Sequence, residues 1–126
     1  MGWLKGKRIL VVEDEALIAV MVEDMLVEMG GEVVGPAATI DDALALSREE
    51  MLDAAVLDVN VRGRRIDPVA EALMARGVPV LFATGYGEVR LASGAPATVI
   101  DKPYTQDKLS RGIAAAMQAA QNRRAS

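Results

Sequence analysis

The chain has neither cysteine nor histidine among its 126 residues. Without cysteine it forms no disulfide bond and no thiolate metal site, as is common for cytoplasmic proteins, and we expect a cytoplasmic location. Without histidine it has no imidazole for general-base catalysis or zinc binding, and it cannot itself carry a phosphohistidine. Carboxylates, lysines and hydroxyls therefore remain to perform any chemistry.

Aromatic residues, long apolar runs and excess positive charge are also lacking. Only 3% of the residues are aromatic, so Val, Leu, Ile, Ala and Met are expected to build the core. No run is apolar over the length of a membrane span, and the first residues are expected to lead into a strand rather than a signal peptide. The net charge of -4 argues against nonspecific binding to nucleic acid.

The composition favours one globular domain. The chain is 52% hydrophobic and 25% charged, which is typical of a folded rather than a disordered protein. Its length of 126 residues suits one hydrophobic core. We predict a single domain over 1–126, with an ordered core at about 7–121 and a tail at 122–126.

Short apolar segments alternate with segments of helical periodicity. Five strands are predicted, at 8–13, 32–35, 53–58, 78–83 and 97–100. Helices are predicted from 14 to about 29, from 39, from 67, weakly at 88–92, and from 105. This alternation predicts an α/β fold in which helices cover both faces of a parallel sheet.

Capping residues mark three of the helix starts. Thr39 followed by Asp42 has the spacing of a capping box. Asp67 is predicted to cap the next helix, with Pro68 at the first helical position. Thr105 is predicted to cap the last helix.

Reactive side chains follow four of the five predicted strands. They are Glu13 and Asp14 after the first strand, Asp58 after the third, Thr84 and Gly85 after the fourth, and Lys102 after the fifth. Because ligands bind outside the carboxyl ends of parallel strands, these residues are expected to meet at one edge of the sheet. Each alone is more simply a cap, a turn residue or a solvated lysine, but together they predict a site.

The residue types at this edge indicate a class of chemistry. Crowded carboxylates repel one another unless a hard cation such as Mg²⁺ lies among them. A cation, a lysine and a hydroxyl together suit the oxygens of a phosphoryl group. One carboxylate is then available as the nucleophile that forms an acyl phosphate.

These residues, in this order, resemble the receiver domains of two-component response regulators over essentially the whole chain. The stretch LFATGYG also resembles a receiver subgroup with a Phe-Ala-Thr-Gly-Tyr signature, found chiefly in alphaproteobacteria. The resemblance implies a flavodoxin-like, five-stranded parallel sheet in the order 2-1-3-4-5. It also implies a bacterial signalling protein rather than an enzyme, with intrinsic autophosphorylation and autodephosphorylation chemistry.

The resemblance implies a phosphoryl-binding role for three side chains. Asp58 would accept the phosphoryl group from a phosphohistidine of a sensor histidine kinase or a histidine phosphotransfer protein. Thr84 would bond one phosphoryl oxygen and Lys102 another, and Gly85 would leave room for the donor. The peptide bond between Lys102 and Pro103 would be cis, which only an X-Pro bond adopts cheaply.

The resemblance also implies a magnesium site, in which Mn²⁺ or Ca²⁺ can substitute. Asp14 and Asp58 would bind the ion, and Glu13 would help, through water. The backbone carbonyl of Asn60 would complete the set of ligands.

The sequence departs from the family at the switch. Many receivers have an aromatic residue on the fifth strand, three positions before the lysine, where this chain has Val99. Tyr86 or Tyr104 is a substitute candidate, and simple packing of both tyrosines at the surface is the alternative. The segment 86–95 is predicted to be mobile without phosphate.

An arginine-rich stretch at 61–65 follows Asp58 closely. It contains Arg62, Arg64 and Arg65. We interpret it as a solvated loop, and the alternative is a docking contact with an acidic partner or an attraction for phosphate.

The leading hypothesis is a stand-alone, monomeric receiver that acts through protein partners as a shuttle, a sink or an allosteric effector. The alternative is a receiver-like interaction module that works without phosphorylation. A flavodoxin-like nucleotide binder would need glycines after the first strand, where the sequence reads EDEA. An aspartyl phosphatase would need its nucleophile on the first strand with a second aspartate two residues later, but Ala16 follows Asp14 at that spacing.

Overall fold

The structure is a computed structural model that describes residues 2–85 and 97–125, with side chains described to residue 123. Its strands are β1 Arg8–Val12, β2 Glu32–Ala37, β3 Ala54–Asp58, β4 Asn60–Val61, β5 Arg64–Arg65, β6 Val80–Thr84 and β7 Thr98–Asp101. Its helices are α1 Ala16–Glu28, α2 Ile40–Glu49, α3 Asp67–Ala75 and α4 Gln106–Ala125. The helix predicted at 88–92, the mobility predicted at 86–95 and Tyr86 lie outside the described residues.

The main sheet is parallel, with the order β2-β1-β3-β6-β7. This is the predicted order of the five strands, because β4 and β5 form a separate pair. The register pairs Asp58 with Ala83 and Thr84 with Asp101. The carboxyl ends of β3, β6 and β7 are therefore level, which brings the residues that follow them to one edge.

Helices cover both faces of this sheet. Side chains alternate between the faces of a strand, so each buried strand contributes to two apolar layers. One layer joins β1, β3 and β6 to α2 and α3, and includes Leu10, Leu57, Phe82, Ala43 and Leu73. The other joins the same strands to α1 and α4, and includes Val11, Val56, Leu81, Leu26 and Ile113. None of the described helices combines the length and the apolar character that crossing a membrane requires.

Two of the three predicted caps are confirmed. The Thr39 hydroxyl accepts a hydrogen bond from the backbone N–H of Asp42 at 3.1 Å, and the Thr105 hydroxyl accepts one from the N–H of Lys108 at 3.1 Å. The prediction for Asp67 is wrong by one residue, since the structure places it inside α3 and Ile66 at the cap. The Asp67 carboxylate instead accepts a hydrogen bond from Arg65 Nε at 3.0 Å.

The first helix begins later than predicted. We expected it from Asp14, but α1 starts at Ala16 after an extended Glu15. The reason is that the Asp14 carboxylate accepts a hydrogen bond from a distant backbone N–H, that of Arg62, at 2.9 Å. That bond directs Asp14 toward the sheet edge instead of the helix.

Described packing and helix extend beyond the predicted limits of 7 and 121, while the single-domain organisation stays a prediction. At the start, Leu4 is fully buried, and its N–H donates to the carbonyl of Met29 at 3.1 Å. At the end, α4 continues to Ala125, where a tail was expected from 122. Alanine, glutamine and arginine favour helix, and Gln118 Nε2 donates to Asn122 Oδ1 one turn later at 3.1 Å.

The stretch 61–65 is not a solvated loop. β4 and β5 pair antiparallel, with Arg62 and Gly63 as the two turn residues. Both have positive φ, 51° and 77°, which is the backbone of a type I′ hairpin turn. Val61 is fully buried, so one side of the hairpin joins the core while its arginines stay exposed.

The interface between the sheet and α4 gives a first prediction. Leu81 is fully buried, and its methyl carbons lie so close to α4 that a Cβ at Gly112 would stand 2.8 Å from them. We expect Leu81→Ala to lower the free energy of unfolding by about 2–5 kcal/mol. Urea denaturation followed by circular dichroism measures this. The matched control is Leu17→Ala, at a leucine that is 75% exposed, and its effect should stay within about 0.5 kcal/mol. Equal losses in the two variants would contradict this packing.

Candidate functional site

Three carboxylates gather where β1 and β3 end. Glu13 and Asp14 follow β1, Asp58 is the last residue of β3, and one oxygen of each lies within 4.8 Å of the others. Glu13 is 1% exposed and Asp58 8%, so water screens their repulsion poorly. Carboxylate oxygens are the ligands that Mg²⁺ prefers, so this donor set fits a magnesium ion.

Lys102 joins the cluster from β7. Its Nζ donates to Glu13 Oε1 at 3.0 Å and to Asp58 Oδ2 at 2.9 Å. Its backbone N–H donates to the carbonyl of Thr84 at 3.0 Å, and its peptide bond to Pro103 is cis, the geometry that the resemblance implies. One ammonium faces three carboxylates, so negative charge remains in excess and a cation is still favoured.

Burial and neighbouring charges shift the pKa values of Glu13 and Lys102. Burial raises the pKa of Glu13 and the charge of Asp58 adds to the rise, while hydrogen bonds from Glu15 N–H and Lys102 oppose it. Burial alone would lower the pKa of Lys102, but its hydrogen bonds to Asp58 and Glu13 and their charges raise it overall. The lysine therefore keeps its proton at neutral pH, and it holds the two carboxylates together.

Asp14 is in a different environment from Glu13. It is partly exposed, and its Oδ2 accepts the hydrogen bond from Arg62 N–H at 2.9 Å. This bond is the main reason that the pKa of Asp14 lies below its ordinary value, although burial opposes it. Asp14 is thus ionised at neutral pH and faces the solvent side of the cluster.

A cleft of about 470 Å³ opens over these groups. Its lining residues are Asp14, Glu15, Asp58, Val59, Asn60, Gly63, Thr84, Gly85 and Lys102. Thr84 is 7% exposed at the end of β6, and a Cβ built on Gly85 would meet no atom of residues 2–85 and 97–125 within 4 Å. None of the described residues therefore blocks the space beside Gly85 through which a group as large as phosphoryl would reach Asp58.

Two predicted metal ligands take distinct positions. Glu13 does not line the cleft but lies behind Lys102, and its Oε2 accepts the N–H of Glu15 at 3.2 Å. Asn60 does line the cleft, and its N–H is 3.4 Å from Asp58 Oδ1. Binding of a cation by the Asn60 carbonyl stays a prediction.

Tyr104 is buried, which counts against the alternative that it simply packs at the surface, and its role as a substitute switch residue stays a prediction. It is 7% exposed, and its ring centroid lies 5.8 Å from Lys102 Nζ, within the range of a cation–π contact. Burial, with the charges of Glu13 and Asp58, raises the pKa of its hydroxyl, which stays protonated. Val99 is only partly buried and pairs with Phe82 in the register of β6 and β7.

Sequence reasoning missed one contributor to the site, Arg62. Its backbone N–H reaches Asp14 across 48 positions of sequence. The available signal was the Arg62-Gly63 pair between two short extended segments, since glycine is typical of a two-residue hairpin turn.

Comparison with known proteins places this architecture in a family. SdrG from Sphingomonas melonis Fr1 is 41% identical with a TM-score of 0.74, and the match covers 93% of this chain and 99% of SdrG. A CheY-like response regulator receiver domain protein from Methanospirillum hungatei JF-1 is 27% identical with a TM-score of 0.77, over 93% of this chain and 98% of that one. The chain belongs to the response regulator receiver domains. No family model matches it.

The receiver domain also matches part of a longer relative. The phyllosphere-induced regulator PhyR from Methylorubrum extorquens is 33% identical over 115 residues, which are 86% of this chain but 43% of PhyR. This chain therefore spans less than half the length of that relative. A second SdrG structure, 42% identical with a TM-score of 0.69, is of its BeF3-activated conformation and matches 87% of this chain and 95% of that one. Membership of the Phe-Ala-Thr-Gly-Tyr subgroup stays a prediction.

The fit of the cluster to Mg²⁺ gives a second prediction. Mg²⁺ should raise the melting temperature, because binding to the folded state alone adds about 2.7 kcal/mol at a concentration one hundred times Kd. Asp14→Asn should remove most of that rise, since it deletes an ionised ligand. Differential scanning fluorimetry with and without Mg²⁺ measures both. Asp24→Asn, at an exposed aspartate of α1, is the matched control and should respond like the wild type. Equal rises in the two variants would exclude Asp14 as a ligand.

The ion pairs of Lys102 give a third prediction. Lys102→Met leaves Glu13 buried without a cation, so at pH 7 it should lower the free energy of unfolding by roughly 3 kcal/mol. Because the pKa of Glu13 is raised in the folded state, folding favours its protonated form, which needs no cation. The loss of stability caused by Lys102→Met should therefore shrink as the pH falls toward 4.

Urea denaturation of wild type and variant at the two pH values measures the difference. The control is Lys5→Met, at an exposed lysine, and it should show a small effect that does not change with pH. A Lys102→Met loss that is the same at both pH values would refute the role of Glu13.

Proposed function

We propose that this receiver domain accepts a phosphoryl group on Asp58 from a phosphohistidine of a sensor histidine kinase or a histidine phosphotransfer protein. The observation that carries the proposal is the position of Asp58, whose carboxylate accepts a hydrogen bond from Lys102 and lines the same cleft as Thr84 and Gly85. In the transfer, an Asp58 oxygen forms a bond to phosphorus. The bond between phosphorus and the donor nitrogen breaks, and its electron pair returns to the imidazole.

The residues around Asp58 have separate tasks in this reaction. Asp14 and Asp58 would hold Mg²⁺ with the Asn60 carbonyl, and Mn²⁺ or Ca²⁺ would substitute. The ion, when bound, neutralises charge on the transferring group. Lys102 already stands at Asp58 and offers its ammonium to a phosphoryl oxygen, so little reorganisation is needed. These groups support autophosphorylation and autodephosphorylation as intrinsic chemistry, while the protein acts as a signalling component rather than an enzyme.

Thr84 would respond to the new charge. A phosphoryl group adds about -1.5 to -2 charges at neutral pH, and the Thr84 hydroxyl stands in the same cleft. The Thr84 carbonyl is tied to Lys102 N–H, so the strand end is held while the side chain turns. Such a shift would bias a two-state equilibrium at the surface that a downstream protein recognises.

The surface beside the cleft supports a protein partner. Leu17, Val20 and Met21 of α1 are 75%, 51% and 45% exposed, which is unusual for apolar side chains so close together. An apolar pocket of about 340 Å³ continues this surface between Met21 and Tyr104, next to Lys102. A protein that delivers a phosphoryl group to Asp58 would cover this region.

The relatives support the same mode of action. One SdrG structure is of its BeF3-activated conformation, and beryllofluoride is a phosphoryl mimic that a site of this type would bind. We propose that the protein acts in the cytoplasm, as a monomer and through protein contacts, as a shuttle, a sink or an allosteric effector. The complete set of site residues counts against a module that works by interaction alone.

The test is phosphorylation by a small donor. Acetyl phosphate with Mg²⁺ should add the mass of one phosphoryl group to the wild type, and beryllofluoride with Mg²⁺ should shift its amide resonances. Asp58→Asn should abolish both effects, because the amide is no nucleophile. Asp24→Asn should behave like the wild type. Labelling of Asp58→Asn at the wild-type level would refute the acceptor, and a wild type that takes no label would favour the interaction-only alternative.

A further inference from the structure

The turn of the hairpin formed by β4 and β5 has a residue that its backbone does not favour. Arg62 has φ 51°, and it is the only non-glycine residue with positive φ in the ranges 2–85 and 97–125. The first position of a type I′ turn prefers asparagine, aspartate or glycine, which tolerate this conformation. An arginine at this position makes the turn less stable than asparagine or glycine would, and contacts of its side chain elsewhere can offset this cost.

The structure shows contacts of Arg62 with two distant segments. Its backbone N–H donates to Asp14 Oδ2 at 2.9 Å, and its side-chain Nε donates to the carbonyl of Ala38 at 3.0 Å. Asp14 lies after β1, and Ala38 lies after β2. Arg62 thus connects the hairpin turn by hydrogen bonds to the segments that follow β1 and β2.

The hairpin also reaches the second carboxylate of the predicted cation site. Asn60, its first residue, places its N–H 3.4 Å from Asp58 Oδ1, and Gly63 of its turn lines the cleft. Its base is fixed, because Val61 is fully buried and Ile66 N–H donates to the carbonyl of Val59 at 2.9 Å. The turn is the exposed end of the hairpin, and the bond of Arg62 to Ala38 fixes that end as well.

We propose that Arg62 is a positioning residue for the cation site. Its side chain holds the hairpin against the Ala38 carbonyl, and the hairpin in turn holds one oxygen of Asp14 and presents Asn60 to the cleft. The second oxygen of Asp14 is then left for the ion. This inference rests on the proposed function, because it assigns Arg62 to the magnesium site of that reaction.

Charge alone makes the opposite prediction for Arg62. An arginine next to a Mg²⁺ site repels the ion, so removing its charge should tighten binding. If Arg62 positions the site, removing its side chain should weaken binding instead, by about 10-fold, as for other groups that orient metal ligands. The sign of the change therefore separates the two explanations.

The experiment compares Arg62→Asn with Arg64→Asn. Asparagine suits the positive φ of the turn, keeps the backbone N–H and cannot supply the Nε donor, so only the bond to Ala38 is lost. Arg64→Asn removes the same charge from an exposed arginine of the same hairpin. Isothermal titration calorimetry with Mg²⁺ should give about 10-fold weaker binding for Arg62→Asn, and unchanged or tighter binding for Arg64→Asn.

A second measurement needs no ion. Hydrogen exchange of the residue 62 amide should accelerate in metal-free Arg62→Asn but not in Arg64→Asn, because the hairpin turn is then held less firmly against Asp14. Slower or equal exchange, or Mg²⁺ binding as tight as in Arg64→Asn, would overturn the inference. Either of these results would leave the proposed function intact, provided that the wild type still binds Mg²⁺ and accepts the phosphoryl group of acetyl phosphate. A wild type that binds no Mg²⁺ would overturn both.

Discussion

Repulsion among Glu13, Asp14 and Asp58 is offset by one shared ammonium and by backbone N–H groups. Glu13, which is almost fully buried, has the Lys102 ammonium and the N–H of Glu15. Asp58 shares that ammonium, and Asp14 is stabilised by a backbone N–H of the hairpin. Since one lysine cannot neutralise three carboxylates, the folded chain retains a local excess of negative charge. That excess makes the site attractive to a divalent cation.

The parallel sheet is what keeps these charges together despite their repulsion. The carboxyl ends of β1, β3, β6 and β7 meet at one edge, and the apolar layers on both faces fix their register. A carboxylate at such an end cannot move away without disturbing the strand behind it, and all five residues of β3 are buried. The energy of the apolar layers thus maintains an arrangement of charges that the residues alone would avoid.

The sequence was sufficient to predict the sheet and most of the residues that gather at its edge, because both depend on short-range patterns. Apolar runs identify the strands, and residues that follow parallel strands must share an edge. The hairpin was missed because two strands of two residues show no periodicity, and its link to Asp14 spans 48 positions. The burial of Tyr104 was missed for a similar reason: the fold of α4 against α1 decides it, and no local pattern reports that packing.

If Asp58 accepts a phosphoryl group as proposed, the placement of Glu13 explains how Lys102 would be held beside it. A lysine bonded to Asp58 alone would be free to leave once that carboxylate became an acyl phosphate. Here the ammonium also bonds Glu13, which lies outside the cleft lining and is not exposed to solvent. The ring of Tyr104, 5.8 Å from the same ammonium, bounds it on another side. Under the proposed function, Lys102 would therefore stay in place when Asp58 carried a phosphoryl group, and it would stabilise the phosphoryl oxygens without prior rearrangement.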